Sequence, residues 1–378
     1  MYDSKSAAVH PTCESVPPPS RLKLNENEWR SKEGKGLDLV SIDVEALEEA
    51  AKPGALKVLE AEHVPFLGVL LNQTFQSLNT LDVVTPGGFP PVESSEATAN
   101  PAHPLFPSLT NFCFKAVGPR AVALNLGDNL LKFLRNSPRL QVAFFGYGDR
   151  ENGINITTSP AVSLPDLRLF THESPFDTIP IGLFKKLTLK PTCDIAFTVK
   201  NVHPKHIDEP WDSGFFPSRR SPLGHLRDVK TVKITVRAGS EDSSTMVEAK
   251  FSNPNRTISL NRLTGSLIYS HWAEVIEKIL DFLKANGTDG SVETLHFEHC
   301  HLDGPAAKSV LERMKKFAES RRGSTTPLKT VTLVFRDREE LLKTCGDSIQ
   351  ELKRYVMAVE IVESGREFGY NGSWSPSY

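Results

Sequence analysis

The residues best suited to metal chemistry are His296, His299, Cys300 and His301, which stand close together in the sequence. Imidazole and thiolate groups are the ligands that zinc prefers in proteins. If this stretch is a strand, however, alternate side chains point to opposite faces, so His296 and His301 diverge. No second ligand group follows at the spacing of a zinc finger. We therefore expect no metal site.

Sequence motifs for enzymatic chemistry are also missing. The chain has no G-x-S-x-G nucleophile elbow, no Gly-rich phosphate loop and no G-x-G-x-x-G dinucleotide fingerprint. The carboxylate pair Glu339 and Glu340 falls in a helical pattern, where it is expected to face solvent. We therefore predict no catalytic residue and no cofactor, and we expect that the chain is not an enzyme.

Composition narrows the class of partner and the compartment. The formal net charge is -2, whereas a dedicated nucleic-acid binder usually carries a strong basic excess. No apolar h-region follows the first residues, and the longest apolar run, 64–71, is too short to span a bilayer. Five scattered cysteines without C-x-x-C spacing favour reduced thiols. We expect a cytoplasmic or nuclear protein that binds neither nucleic acid nor membrane.

The element that would position any functional residues is a leucine-rich-repeat unit at 292–302. Its apolar residues fill the template L-x-x-L-x-L-x-x-N/C-x-L, and a helical pattern follows from Asp303 to about Phe317. The template residues are Val292, Leu295, Phe297, Cys300 and Leu302. Such a unit cannot bury its apolar face alone, so it predicts neighbours stacked on both sides.

The same pattern recurs along the chain at irregular spacing. The motifs begin at Leu56, Leu78, Leu109, Leu140, Leu167, Val229, Val292 and Leu328. The two longest gaps have room for one weaker strand each, near Ile195 and near Ile258. The pattern predicts an α/β fold, an irregular leucine-rich-repeat solenoid with parallel strands on one face and helices on the other.

Helical patterns alternate with these strands. The clearest has apolar residues from Trp272 to Leu283 at positions i, i+3, i+4, i+7, i+8 and i+11. We also predict helices over 130–134 behind Asp128-Asn129, over 179–187, and over 348–355 behind an Asp347 cap. A last strand is predicted at 359–362.

Domain boundaries follow from composition. Residues 1–27 are expected to be a disordered lead-in, 28–363 the repeat region, and 364–378 a flexible tail. Loop insertions are predicted near 85–107 and 203–225. Because long insertions in repeat proteins often lie on the binding face, the second loop supplies candidate protein-binding residues. They are Trp211, Phe215, Phe216, Arg219 and Arg220.

Strand alternation supplies the other candidate protein-binding residues. Side chains next to the buried positions of three motifs should face outward on the strand surface. These residues are Thr231, Lys233, Thr294, His296, Thr330 and Thr332.

The chain resembles the degenerate leucine-rich-repeat region of fungal F-box proteins, over roughly residues 28–363. The stretches that carry the resemblance are 106–112, 130–140, 164–170, 190–195 and 292–300. The resemblance implies a ubiquitin-ligase substrate receptor, in which an N-terminal F-box docks the adaptor of a cullin–RING ligase and the repeats select the substrate. No Leu-Pro-x-Glu helix start precedes residue 28, so we expect an F-box that was lost or truncated.

Two other interpretations remain open at the level of sequence. Strand–helix alternation is shared with doubly wound α/β enzymes, whose strand order reverses about a crevice. The chain could also be a truncated fragment without independent function, since a solenoid needs terminal capping repeats. The partner protein is not identified by any of these patterns.

Overall fold

A computed structural model of the chain describes residues 21–25, 56–62, 68, 71–72, 74–85, 104–116, 126–147, 160–174, 186–202, 229–238, 245–264, 272–285, 289–299, 304–322, 326–335 and 337–363. The strands are β1 (Arg21–Asn25), β2 (Val58–Glu62), β3 (Thr80–Thr85), β4 (Asn111–Ala116), β5 (Val142–Tyr147), β6 (Val162–Leu164), β7 (Leu169–Ser174), β8 (Leu187–Leu189), β9 (Asp194–Val202), β10 (Thr231–Ala238), β11 (Thr245–Asn253), β12 (Arg256–Thr264), β13 (Thr294–His299), β14 (Thr330–Phe335) and β15 (Ala358–Glu363). The helices are α1 (Leu126–Arg135), α2 (Trp272–Ala285), α3 (Gly304–Ser320) and α4 (Arg338–Leu352), with a 3₁₀ turn at Asp289–Ser291.

The fold is mixed α/β, built on one large and mostly parallel sheet that does not close into a barrel. Its thirteen strands run in the order β1-β2-β3-β4-β5-β7-β9-β12-β11-β10-β13-β14-β15. β11 is antiparallel to both β10 and β12, and the other pairs in this sheet are parallel. Strand order therefore follows chain order except across β10–β12, which is reversed. β6 and β8 form a separate two-stranded parallel sheet.

Two rows of side chains across the strands form the core face of the sheet. The first row is in register from Leu59 to Val331 and contains Leu59, Leu81, Phe112, Ala143, Phe170, Ile195, Ile258, Phe251, Val232, Leu295 and Val331. The second row lies two residues further along each parallel strand and two residues earlier in the antiparallel β11. It includes Ala61, Val83, Phe114, Phe145, His172, Phe197, Ala249, Ile234, Phe297 and Leu333. Every one of these side chains is at most 3% exposed. Burial of one face explains the period-two alternation of the sequence.

A backbone contact recurs where successive motifs meet. The carbonyl of Lys57 accepts hydrogen bonds from the N–H groups of Asn79 and Thr80, at 2.8 and 3.0 Å. The carbonyl of Asn79 accepts in the same way from Thr110 and Asn111. The carbonyls of Thr110, Gln141, Lys230 and Glu293 repeat this double acceptance from the next motif. The backbone therefore has the same hydrogen-bonded geometry at the start of each of these strands.

The two helices with the strongest sequence patterns are confirmed. α2 buries Ile276, Ile279, Leu280 and Leu283, and α3 buries Ala307, Val310, Leu311 and Met314. These side chains belong to the same core as the strand rows. Ion pairs join neighbouring helices side by side: Arg313 of α3 lies 2.6 Å from Glu277 of α2, and Lys315 lies 2.6 Å from Glu351 of α4.

Three predicted helix boundaries are wrong. α1 begins at Leu126, so Asp128 and Asn129 lie inside the helix and do not cap it. The N-cap of α4 is Asp337, ten residues before the predicted Asp347 cap, and its carboxylate accepts from the N–H of Glu340 at 2.8 Å. Leu187 belongs to β8, so the helix predicted over 179–187 does not end there.

Four strands were not foreseen: β1, β6, β8 and β11. Residues 21–25 form β1 and pair with β2, in a part of the lead-in that we expected to be disordered. β11 lies inside one of the two long gaps between motifs and joins β12 through Pro254 and Asn255. The strand near Ile195, the strand near Ile258 and the last strand at 359–362 are confirmed as β9, β12 and β15.

Several predictions lie outside the described residues. They are the loops over 86–103 and 203–225, the tail 364–378, and the template residues Cys300 and Leu302.

Candidate protein-binding surface

The sheet has a second face, opposite the two buried rows, which we call the open face. The six strand residues predicted to bind a protein all lie on it. Thr231, Thr294 and Thr330 are in register on β10, β13 and β14, and Lys233, His296 and Thr332 form the next row on the same strands. All six side chains are partly exposed. Alternation along three adjacent strands thus brings hydroxyl, amine and imidazole groups onto one patch.

Two residues of the second open-face row, Lys233 and His296, lie near the carboxylate of Glu298. Lys233 Nζ lies 2.9 Å from Glu298, whose residue is only 9% exposed. His296 Nε2 lies 3.8 Å from the same carboxylate. Burial lowers the pKa of His296 below its usual value, and the positive charge of Lys233 lowers it further. At neutral pH the imidazole is therefore uncharged, and Lys233 is the cation of this row.

A second ion group lies where the three strands begin. Glu293 sits between Lys230 and Lys329, at 3.0 and 2.5 Å. Hydrogen bonds from Lys329 and then Lys230 lower the pKa of Glu293. This edge of the patch consequently has two cations around one carboxylate. The patch as a whole offers charges of both signs and hydrogen-bonding groups to a partner.

Strand β11 adds open-face residues that the sequence interpretation missed. Lys250 is in register with Lys233, and Glu248 is in register with Thr235. Lys250 Nζ lies 2.9 Å from Glu248, which is 8% exposed. The alternation of Glu248 and Lys250 with the apolar residues Val247, Ala249 and Phe251 could have indicated this strand.

Two properties of the described titratable groups concern metal binding and thiol reactivity. No group of three or more His, Cys, Asp or Glu side chains among them is placed to hold a metal ion. Burial raises the pKa of Cys113 to about 12 and that of Cys193 to about 11, so these thiols are protonated at neutral pH. A protonated thiol is a poor nucleophile.

The other predicted binding residues, Trp211, Phe215, Phe216, Arg219 and Arg220, lie outside the described residues. None of the helices that are described is both long enough and apolar enough to cross a bilayer. No protein-family model matches the chain, and no curated protein or solved structure matches it.

Proposed function

We propose that this chain is a non-enzymatic protein-binding scaffold, an irregular leucine-rich-repeat solenoid that recognises its partner with the open face of β10, β13 and β14. The observation that carries the proposal is the registered patch of Thr231, Lys233, Thr294, His296, Thr330 and Thr332 on adjacent parallel strands. Repeat proteins use extended strand or helix surfaces of this kind for binding.

Two features of the backbone support the repeat interpretation. The strand order follows the chain order on both sides of the β10–β12 reversal. In a doubly wound enzyme, by contrast, the order reverses about a crevice where the ligand binds. In addition, a double backbone hydrogen bond recurs between successive motifs from Leu56 to Leu167. Its acceptors are the carbonyls of Lys57, Asn79, Thr110 and Gln141.

The chemistry of the patch favours a folded or extended protein over a small molecule. Its groups lie on a broad sheet surface, and small-molecule sites are usually concave and mostly apolar. Lys230 and Lys329 flank Glu293, so a partner with an acidic group at its rim and hydrogen-bonding groups opposite the threonines would match the patch. The resemblance to F-box proteins makes a ubiquitin-ligase substrate a specific candidate, with a cullin–RING adaptor as a second partner.

The test is affinity capture from fungal cytosol with matched variants. Thr294→Arg/Thr332→Arg places two large cations on the open face, whereas Ser309→Arg/Thr344→Arg makes the same kind of change at exposed positions of α3 and α4. Both variants should fold, since neither alters a buried residue. Circular dichroism and thermal unfolding provide the control for folding.

Proteins that bind through the open face should be retained by the wild-type chain and by the helix variant. The same proteins should be depleted by about tenfold or more with the open-face variant, which corresponds to a loss of about 1.4 kcal/mol. Equal capture by both variants would contradict the proposal. Capture without any adaptor or cullin would leave the binding function and remove its ligase version.

A further inference from the structure

Within the described part of the chain, each end of the large sheet is a strand with a neighbour on one side. β1 pairs with β2, and β15 pairs with β14. The N–H of Ala358 donates to the carbonyl of Lys329 at 2.9 Å. Because backbone groups alternate in direction along a parallel strand, the N–H groups of Val359 and Ile361 point to the outer edge. An edge of this kind is a template for another strand.

The side chains of β15 leave the core incompletely covered at this end. Val359 and Ile361 are partly exposed while packing against the core, and Val362 is 45% exposed on the other face. The strand contains neither lysine nor proline, the residues that commonly protect sheet edges. One more strand with apolar residues on the core side would complete the burial.

The strand at the opposite end carries apolar residues at matching register positions. Leu22 and Leu24 of β1 occupy the register positions of the two buried rows, opposite Leu59 and Ala61 of β2. Lys23 is in register with Glu60, and the guanidinium of Arg21 lies 2.5 Å from the Glu60 carboxylate.

The two end strands have opposite charge. β1 contains two cations, Arg21 and Lys23, and no acidic residue, whereas β15 contains two carboxylates, Glu360 and Glu363, and no basic residue. Glu360 is exposed and belongs to the same row as Glu60, since the register connects that row through every strand of the sheet. The edge of β15 therefore repeats the arrangement that β2 already offers to β1.

We propose that copies of this chain associate head to tail, with β15 of one copy pairing in parallel with β1 of the next. In the register that continues the rows, Lys23 stands opposite Glu360, Leu22 opposite Val359 and Leu24 opposite Ile361. The buried rows and the open face then run on from one copy into the next. The two ends do not pair within one chain, because β1 and β15 stand at opposite ends of the strand order.

The symmetry of this contact predicts how assembly depends on concentration. A head-to-tail contact uses two different surfaces, so it does not close at the dimer unless the copies form a ring. A twofold pairing of β15 with β15 would stop at the dimer and would not involve β1. The average mass in solution therefore distinguishes the two arrangements.

The experiment is sedimentation velocity of the full chain over a wide range of concentration, at low and high salt. The wild type should show an average mass that rises with concentration past that of a dimer and falls with added salt. Glu360→Lys should return it to the monomer under the same conditions. Glu339→Lys makes the same charge change at an exposed position of α4 and should assemble as the wild type does. Glu363→Pro, which removes an outward N–H, should also weaken assembly.

A zero-length carbodiimide crosslink provides the register. In a mixture of isotopically light and heavy chains, a mixed-isotope crosslink between Lys23 and Glu360 is expected. A wild type that is monomeric throughout would overturn the proposal. So would a dimer that does not grow with concentration, or assembly that Lys23→Gln and Glu360→Lys leave unchanged.

Discussion

The stability of this protein should fall in mild acid because of one buried histidine, His172. Its imidazole lies in the second buried row, 3% exposed, with the ring of Phe197 at 6.5 Å between centroids. Burial lowers the pKa of His172 from 6.5 to about 3. The unfolded chain therefore takes up this proton before the folded chain does. Stability from the neutral imidazole is complete above pH 6.5 and is lost as the pH falls toward 3.

The magnitude follows from the two pKa values. At pH 5 an unfolded histidine is almost fully protonated and folded His172 is almost fully neutral, so the free energy of unfolding drops by about 2 kcal/mol relative to pH 7.5. His172→Phe puts an apolar ring among the neighbouring phenylalanines and removes the titration. Its stability should lack this part of the pH dependence, whatever its absolute value at neutral pH.

The assay is urea unfolding, followed by circular dichroism, at pH 7.5 and pH 5 for both proteins. The loss between the two pH values in the wild type, minus the loss in His172→Phe, isolates His172 from the other ten histidines. We expect a difference of about 2 kcal/mol. Equal pH dependence in the two proteins would refute the assignment of His172 to the second buried row.

Two further predictions concern other buried groups. Arg321 directly follows α3 and is only 3% exposed. Its guanidinium donates to the carbonyls of Val292, Gly290 and Thr326. Arg321→Met should lower the free energy of unfolding, measured in urea, by about 3 kcal/mol, because it leaves buried carbonyls without this donor. Arg322→Met, at the exposed neighbour, should lower it little. Equal losses in the two variants would contradict this prediction. Cys193 is buried and its pKa is raised from 9.0 to about 11, so it should alkylate at pH 8 at least about a hundredfold more slowly than in the unfolded chain. Peptide mass spectrometry measures that rate, and rapid labelling of the folded chain would show that the thiol is accessible and ionised.

The parts of the fold that local periodicity encodes could be predicted from the sequence. Leu295 and Phe297 alternate with His296, and only one face of a half-buried strand accepts them, so their burial follows directly. Helix α2 follows in the same way from its 3.6-residue repeat of apolar side chains. The grouping of Thr231, Thr294 and Thr330 on the open face also needed only alternation and a common motif.

Long-range pairing could not be predicted in this way. The sequence of β12 has the pattern of an ordinary strand. Its placement beside β9, however, depends on pairing between residues far apart in the chain, such as Ile195 and Ile258. The start of α4 was missed because Asp337 and Asp347 both precede apolar helical residues. Burial of Leu341 and Cys345 in the core, which the local sequence does not reveal, favours the earlier cap. The binding partner is likewise not encoded in any local pattern.

The claim that one continuous sheet presents one open face depends most on the reversed segment β10–β12. The register places Ala196 of β9 opposite Ser259 of β12, whereas an unreversed order would place Ala196 opposite Lys233 of β10. In the reversed order, Lys233 is three strands away from Ala196, about 14 Å. A short bis-maleimide should therefore link Ala196→Cys to Ser259→Cys efficiently and fail to link Ala196→Cys to Lys233→Cys, as read by peptide mass spectrometry. The opposite pattern would contradict the sheet described here.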